Sequence, residues 1–369
     1  MRTSYAVIIF ALALFGVKEL ALKNSFTIIP QPEAEKPAVQ QSKPEIKVTH
    51  LSTPQIVKGL YVTLYSFESK KKFDEVISAA ERNKINSLVI DVKSDGNSLF
   101  DFNNYDVKAI LAGLHEKGIY LIARAVAFKK SETAWYDPAS KERWQQLAGI
   151  SKKAIDLGFD EINFDYVRYG GPAEAQSQTP IEQRRPNIQA FFEFLNKEVR
   201  QKYGRPISAD IFGITFISPE SGIGQRMEDA ARNFDYIMPM PYPSHWALGS
   251  FNIAHPGNAP YQTVYQALTT GWARVVNDPS RIAQLRSWIQ AFGIESIAPW
   301  KLRTYTGQDV GDQIKACYDS GCVGWAMWNG FSTYPDSYFE FSVQEPTSTP
   351  EIYATSTASS TSPTSTSAH

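Results

Sequence analysis

Through the middle of the chain, short apolar runs alternate with longer amphipathic ones. GLYVTLYS, NSLVIDVK, IYLIARAVAF, DEINFDYV, RPISADIF, DYIMPM, SIAPW and VGWAMW each read as a buried strand of a few residues. Between them lie FDEVISAAERNK, DVKAILAGLHEKG, SKERWQQLAGISKKAIDLG, NIQAFFEFLNKEVRQKYG, MEDAARN and GDQIKACYDSG, which carry helical patterns. Several of them run into a glycine where a C-cap needs one, at Gly118, Gly158, Gly204 and Gly321. Strand and helix in alternation, with eight strand candidates, predict an α/β fold: a single (β/α)8 TIM-type barrel. An open doubly wound sheet would more often have fewer strands and a glycine fingerprint after the first, and neither GxGxxG nor GxxxxGKS occurs. After the eighth strand, NGFSTYPDSYFEF is poor helix material, so the closing helix is expected to be short or absent.

The flanks carry a different pattern. Residues 1–23 contain one early basic residue and an apolar run from Tyr5 to Val17, which reads as a signal peptide or an uncleaved N-terminal membrane anchor. Residues 24–54, with PQPEAEKPAVQQSKPEIK at their centre, read as a linker. The barrel is placed at 55–342, and the Ser/Thr/Pro-rich stretch 343–369 reads as a solvated tail. The expectation is an exported protein, extracellular or held at the cell surface, with the membrane as a partner if the first segment is retained.

Charge and cysteine content narrow the function. Basic and acidic side chains number 37 and 38 and are intermixed, so there is no electrostatic footprint for nucleic acid. The two cysteines, Cys317 and Cys322, exclude four-Cys zinc and iron–sulfur sites. They give no disulfide framework and read as buried small residues. No metal or cofactor is expected, because the acidic motifs lack zinc-ligand spacing.

The candidate chemistry follows from strand parity. In a barrel, the loops at the C-terminal ends of the strands build the active site. Alternation sends Ile162, Phe164 and Tyr166 toward the surrounding helices and Glu161, Asn163 and Asp165 into the barrel, Asp165 uppermost. The same parity turns Asp91 and Lys93 of the second strand inward, and Ser208 and Asp210 of the fifth. Arg124 joins them from the third strand, and Arg168 follows just above Asp165. Glu161, lower down, is expected to pair with Arg124 or Lys93. Aromatic residues sit on or just past strand ends: Tyr61, Tyr65, Trp135, Tyr169, Tyr242, Trp246, Trp300, Trp325 and Trp328, with His245 among them. Such a rim suits stacking on the apolar faces of sugar rings, whose hydroxyls want Asp, Asn and Arg.

The segments KGLYVTLYS, NSLVIDVKSDG, IYLIARAVAFK, WYDPASKERW, LGFDEINFDYVRY, ISADIFGIT, GIGQRMEDAARNFDYIMPMPYPSHW, NAPYQTVYQAL and GWAMWN resemble, in that order, the DUF4015 family of glycoside hydrolase-like domains, over about Lys58 to Tyr338. The resemblance implies a TIM barrel acting on a polysaccharide or oligosaccharide. It carries the family's fourth-strand motif onto Asp160, Glu161, Asn163, Asp165 and Arg168, and its fifth-strand motif onto Asp210. The chain departs from the family at PWKLRTY, with Lys301, Leu302 and Arg303, and at GGPAEAQSQ after the fourth strand.

Together these readings select glycosidic-bond hydrolysis by two carboxyl groups, with Asp165 as nucleophile or base and Asp210 as acid. Asp91, Lys93, Arg124, Asn163, Arg168, Tyr242, His245, Trp300 and Trp328 are the expected substrate contacts. A carbohydrate-binding barrel without catalysis is the alternative. Asp165→Asn is expected to leave the fold intact if that aspartate is a functional anion, and to cost about 3–5 kcal/mol if it is the buried partner of an arginine.

Overall fold

The computed structural model describes residues 46–93, 98, 106–131, 133–171, 177–219, 221–293 and 304–346. Its elements run β1 (Val57–Val62), α1 (Leu64–Glu68), α2 (Lys70–Arg82), β2 (Ser87–Lys93), α3 (Val107–Glu116), β3 (Tyr120–Val126), α4 (Lys141–Leu157), β4 (Glu161–Asp165) and α5 (Ile181–Leu195). They continue with β5 (Ile207–Phe212), α6 (Ile214–Ile217), α7 (Met227–Ala231), β6 (Tyr236–Met240), α8 (Pro260–Trp272), β7 (Gln284–Leu285), β8 (Ser287–Gln290), α9 (Gly307–Asp319) and β9 (Gly324–Trp328). The described strands form one sheet in the order β7-β6-β5-β4-β3-β2-β1-β9-β8, and every pairing is parallel.

The two edges of that sheet are one stretch of chain. β7 and β8 are separated only by Arg286; β7 pairs with β6 and β8 with β9. The Arg286 N–H donates to the Ile237 carbonyl at 3.0 Å, and the Leu285 carbonyl accepts from Val323 at 2.8 Å. This run is the seventh barrel strand, and it joins the two edges of the described sheet.

The other seven barrel strands lie where the hydrophobic pattern puts them. The seventh does not: SIAPW lies outside the described residues, and the strand is QLRSWIQ instead. Its outward positions are Leu285, Ser287 and Ile289, and its inward ones Arg286, Trp288 and Gln290, so the run carries no apolar strand signal. Polar inward residues erase the apolar signal that marks a buried strand.

Alternation divides the barrel into two cores. Leu88, Ile90, Ile162, Phe164, Ala209 and Ile211 pack outward under the helices. Val89, Tyr61, Ile122, Met238, Trp288 and Ala326 fill the interior. Helix ends are fixed as the sequence indicates: Gly118, Gly158, Gly204 and Gly321 all have positive φ, and Ser140 and Thr306 cap α4 and α9 through their hydroxyls. After β9 the described residues hold a single 3-10 turn, Asp336–Phe339, and no closing helix. The extended segment beyond it lies on α9, where a Cβ on Gly311 would come 2.5 Å from that of Phe341. No residue but glycine fits beneath that ring.

Two features differ from the sequence reading. Ile46–Pro54, assigned to the linker, lies against the barrel: the Leu51 N–H donates to Asp160 at 2.7 Å, the Thr53 hydroxyl is 3.0 Å from that of Tyr120, and Leu51 packs on the interior core. Cys317 and Cys322 are buried, as expected, but joined in a disulfide that spans the turn from α9 into β9. A spacing of five residues across a Gly-containing turn brings their Cα atoms to 5.3 Å, within bridging range.

Candidate active site

Two layers of charge lie inside the barrel. The lower one centres on Glu161, whose carboxylate accepts from Arg286 (2.8 Å), Ser208 (2.7 Å) and Tyr120 (3.1 Å). Glu161 and Arg286 are both fully buried. The sequence reading pairs Glu161 with Arg124 or Lys93; the structure gives it Arg286, a residue on the strand that the hydrophobic pattern concealed. Asp160, one residue earlier, faces the other way, where it accepts from the Leu51 and Leu121 N–H groups and lies 3.0 Å from His115 Nε2. It ties the base of the barrel and takes no place at the mouth.

The upper layer is built on Arg124. Its guanidinium donates to Asp91 at 2.6 Å and to Asp165, and its Nε lies 3.7 Å from Asp210 Oδ2. Aromatic faces hold it from the side: Tyr61 and Trp328 stack on each other at 3.9 Å, with the guanidinium 5.2 and 4.9 Å from their ring centres. Tyr61 also donates to Asp91 at 2.7 Å. Asp165 accepts a second bond, at 2.5 Å, from the N–H of Tyr166.

Asp210 differs from its neighbours. Its Oδ1 accepts from Trp288 Nε1 (2.7 Å) and Asn163 Nδ2 (2.9 Å), whereas its buried Oδ2 has no hydrogen-bond partner among the described residues. Asn163 Oδ1 and the Tyr242 hydroxyl are likewise buried without a described partner. Burial, and after it the charge of Asp165, push the Asp210 carboxyl well above the usual range, against the opposing pull of Arg124, Trp288 and Asn163. Burial raises Asp91 too, opposed by Arg124 and Tyr61.

Thus the structure gathers Asp91, Arg124, Asn163, Asp165, Asp210, Tyr242 and Trp328 at one end of the barrel. Lys93 closes β2 past a register shift, half-buried. Arg168 is buried between the faces of Trp135 (4.8 Å) and Phe212 (4.7 Å), and donates to the Tyr169 carbonyl at 3.0 Å. His245 stands on the rim with its ring against Tyr242 and Phe292. Trp300 and the PWKLRTY substitutions Lys301, Leu302 and Arg303 lie outside the described residues.

Three aromatic assignments change. Trp325 and Tyr169 belong to the outer core, where Trp325 donates to the Tyr318 hydroxyl and Tyr169 accepts from Asn187. Tyr166 does not continue the strand alternation. Its φ of 53° turns it toward Trp135, with the ring centres 5.8 Å apart. Trp288 is the site residue missed altogether, because its strand was missed.

The sequence of residues 59–134 and 129–334 matches the model of the DUF4015 family, described as a "putative glycosyl hydrolase domain". The chain belongs to this family. Among curated proteins, none matches it. Solved structures with the same fold include the chitinase from Chromobacterium violaceum ATCC 12472, at 13% identity over 77% of this chain and 96% of that one, TM-score 0.51. They also include the spore cortex-lytic enzyme SleL of Bacillus cereus, at 11% identity over 77% of this chain and 72% of that one, TM-score 0.52. A chitinase from Bacteroides thetaiotaomicron is similar at 12% identity over 77% and 92%, TM-score 0.51. At these identities the likeness is one of fold.

Proposed function

We propose that this domain hydrolyses glycosidic bonds of a cell-surface or extracellular polysaccharide, with Asp210 as the acid and Asp165 as the anion beside it. The observation that carries this reading is the asymmetry of Asp210: one oxygen fixed by Trp288 and Asn163, the other unengaged and buried next to Asp165 and Arg124. A carboxyl whose proton affinity burial raises can give its proton to the leaving glycosidic oxygen as the C–O bond breaks. The oxocarbenium-like centre left behind needs a negative charge close by, which Asp165 supplies, and water completes the cleavage. Arg124 and the Tyr166 N–H position that carboxylate. Family membership supports the reaction class.

A second reading, a barrel that binds glycan without cleaving it, is favoured by the depth of the carboxylates, all of them nearly inaccessible. The two separate on one experiment. The purified protein is incubated with chitin, peptidoglycan and bacterial exopolysaccharides, and reducing ends are measured. Hydrolysis releases them, and Asp210→Asn abolishes the release. Retention of a polymer without new reducing ends establishes the binder.

We also place the protein outside the cytoplasm. The Cys317–Cys322 disulfide supports this, since such bonds persist in oxidising compartments, as does the apolar run at residues 5–17, which lies outside the described residues. Cell fractionation tests it; full-length protein in the cytoplasmic fraction would sink the assignment.

A further inference from the structure

Two large aromatic side chains stand in solvent at the mouth. Tyr65, in α1 just past the end of β1, is 69% exposed, and Phe331, three residues past β9, is 81% exposed. Their segments are joined: the Thr63 N–H donates to the Ser332 hydroxyl at 3.0 Å, and the Ser66 hydroxyl reaches the Phe331 carbonyl at 3.5 Å. β1 and β9 also carry the stacked Tyr61 and Trp328 that hold Arg124. Tyr61 is buried and Trp328 half-buried, and the exposed pair stands on the same two strand–loop segments as the rings that hold Arg124. Where Lys70 and Ser332 follow these residues, a cleft of about 870 Å³ opens between α2 and the Ser332–Pro335 segment, lined also by Lys71, Glu75 and Arg82.

We propose that Tyr65 and Phe331 form a sugar-stacking subsite, over which a polysaccharide chain leaves the carboxylates and enters the cleft beside α2. This rests on the glycan-acting reading above and extends it from the reacting bond to the polymer. The rings contribute little to the core, being mostly exposed, and exposed aromatics on two joined segments beside a cleft mark a binding surface more than scattered ones do. Sugar rings present C–H faces that pack on an aromatic face and hydroxyls that bond to the polar side chains lining the cleft. A chain extended from the mouth across the β1 and β9 loops meets both in turn.

The test compares the full chain with the Tyr65→Ala/Phe331→Ala double variant on the same polysaccharides. Affinity is read as retardation in native gels containing glycol chitin or solubilised peptidoglycan strands, and turnover is followed on each polymer and on a short aryl glycoside. Loss of two stacking contacts should weaken polymer binding on the order of tenfold to a hundredfold, lower kcat/KM on the polymer to match, and leave aryl-glycoside turnover and the melting temperature unchanged. Tyr65→Phe/Phe331→Tyr should restore it. The proposal is overturned if the wild-type chain is retarded by neither polymer, if the double variant binds as well as wild type, or if polymer and aryl glycoside suffer equally. It is also overturned if the variant changes only the sedimentation of the protein, which would make the pair a contact between copies of the chain. If the wild type is retarded but cleaves neither substrate, the hydrolase reading fails by itself and the gel still decides the subsite.

Discussion

The two charged layers inside the barrel use the same residue types to opposite ends. Below, one glutamate meets one arginine, with Ser208 and Tyr120 on its remaining lone pairs. Above, three aspartates share one arginine, and one carboxyl oxygen is left over. A pair balanced in charge is a structural element whose cost is desolvation and whose benefit is mutual. An unbalanced cluster raises the proton affinity of its most buried acids, which is the condition for proton transfer near neutral pH.

Breaking the lower layer should give the largest change in stability. Glu161→Gln leaves Arg286 buried without its counter-charge and is expected to cost about 3–5 kcal/mol in urea unfolding, with turnover per folded molecule unchanged. A combined Glu161→Leu/Arg286→Met replacement should recover most of that loss. If Glu161→Gln costs under about 1 kcal/mol, the layers do not differ as described.

In the upper layer the expected effect shifts from stability to rate. Asp210→Asn keeps an oxygen for Trp288 and Asn163, so the fold should hardly change while turnover falls about 10²- to 10⁴-fold. The loss should be smaller for aryl glycosides with good leaving groups, because their leaving oxygen needs no proton. Equal losses on good and poor leaving groups would remove Asp210 from the acid role.

Asp165→Asn is expected to do both. Its two oxygens accept from Arg124 and from the Tyr166 N–H; an amide can satisfy only one of these and sets its NH2 against the other donor. A cost of about 1–3 kcal/mol should accompany the loss of turnover. This replaces the expectation of an unchanged fold, and it is milder than for a lone pair because Arg124 keeps Asp91. A melting temperature at or above that of the wild type would argue against the pairing.

The pH dependence carries the same contrast. The Asp210 and Asp91 carboxyls titrate higher in the folded chain than in the unfolded one. Their stabilising contribution is therefore complete below the ordinary carboxylate pKa of about 4 and is lost as pH rises through the folded values. Stability should decline on that rise, and Asp210→Asn should flatten the slope. A slope unchanged in the variant would show that Asp210 holds no extra proton.

The smallest effect expected is at the base. A chain beginning at Gln55 lacks the Leu51 bond to Asp160 and the Thr53 contact with Tyr120. It should be less stable than one beginning at Ile46 by about 1–2 kcal/mol. Equal melting temperatures would return residues 46–54 to the linker.

Much of the fold was legible in the local pattern of the chain. Seven of the barrel strands, the helix ends at Gly118, Gly158, Gly204 and Gly321, and the inward placement of Asp91, Asn163, Asp165 and Asp210 follow from period and parity, which are local properties of the backbone. What remained lay beyond the reach of local pattern. The seventh strand escaped because barrel interiors can hold Arg286 and Gln290 once partners are supplied by strands far away in sequence. Glu161 acquired Arg286, 125 residues away, residues 46–54 acquired Asp160, and Cys317 acquired Cys322. The sequence assigned Asp165 the anion's role and Asp210 the acid's, but packing supplied the physical difference between them, giving Asp165 the Arg124 and Tyr166 donors and leaving Asp210 with an unengaged oxygen. Proton affinity depends on burial and on the charges of neighbours in space, so the size and cause of that difference were decided by tertiary structure.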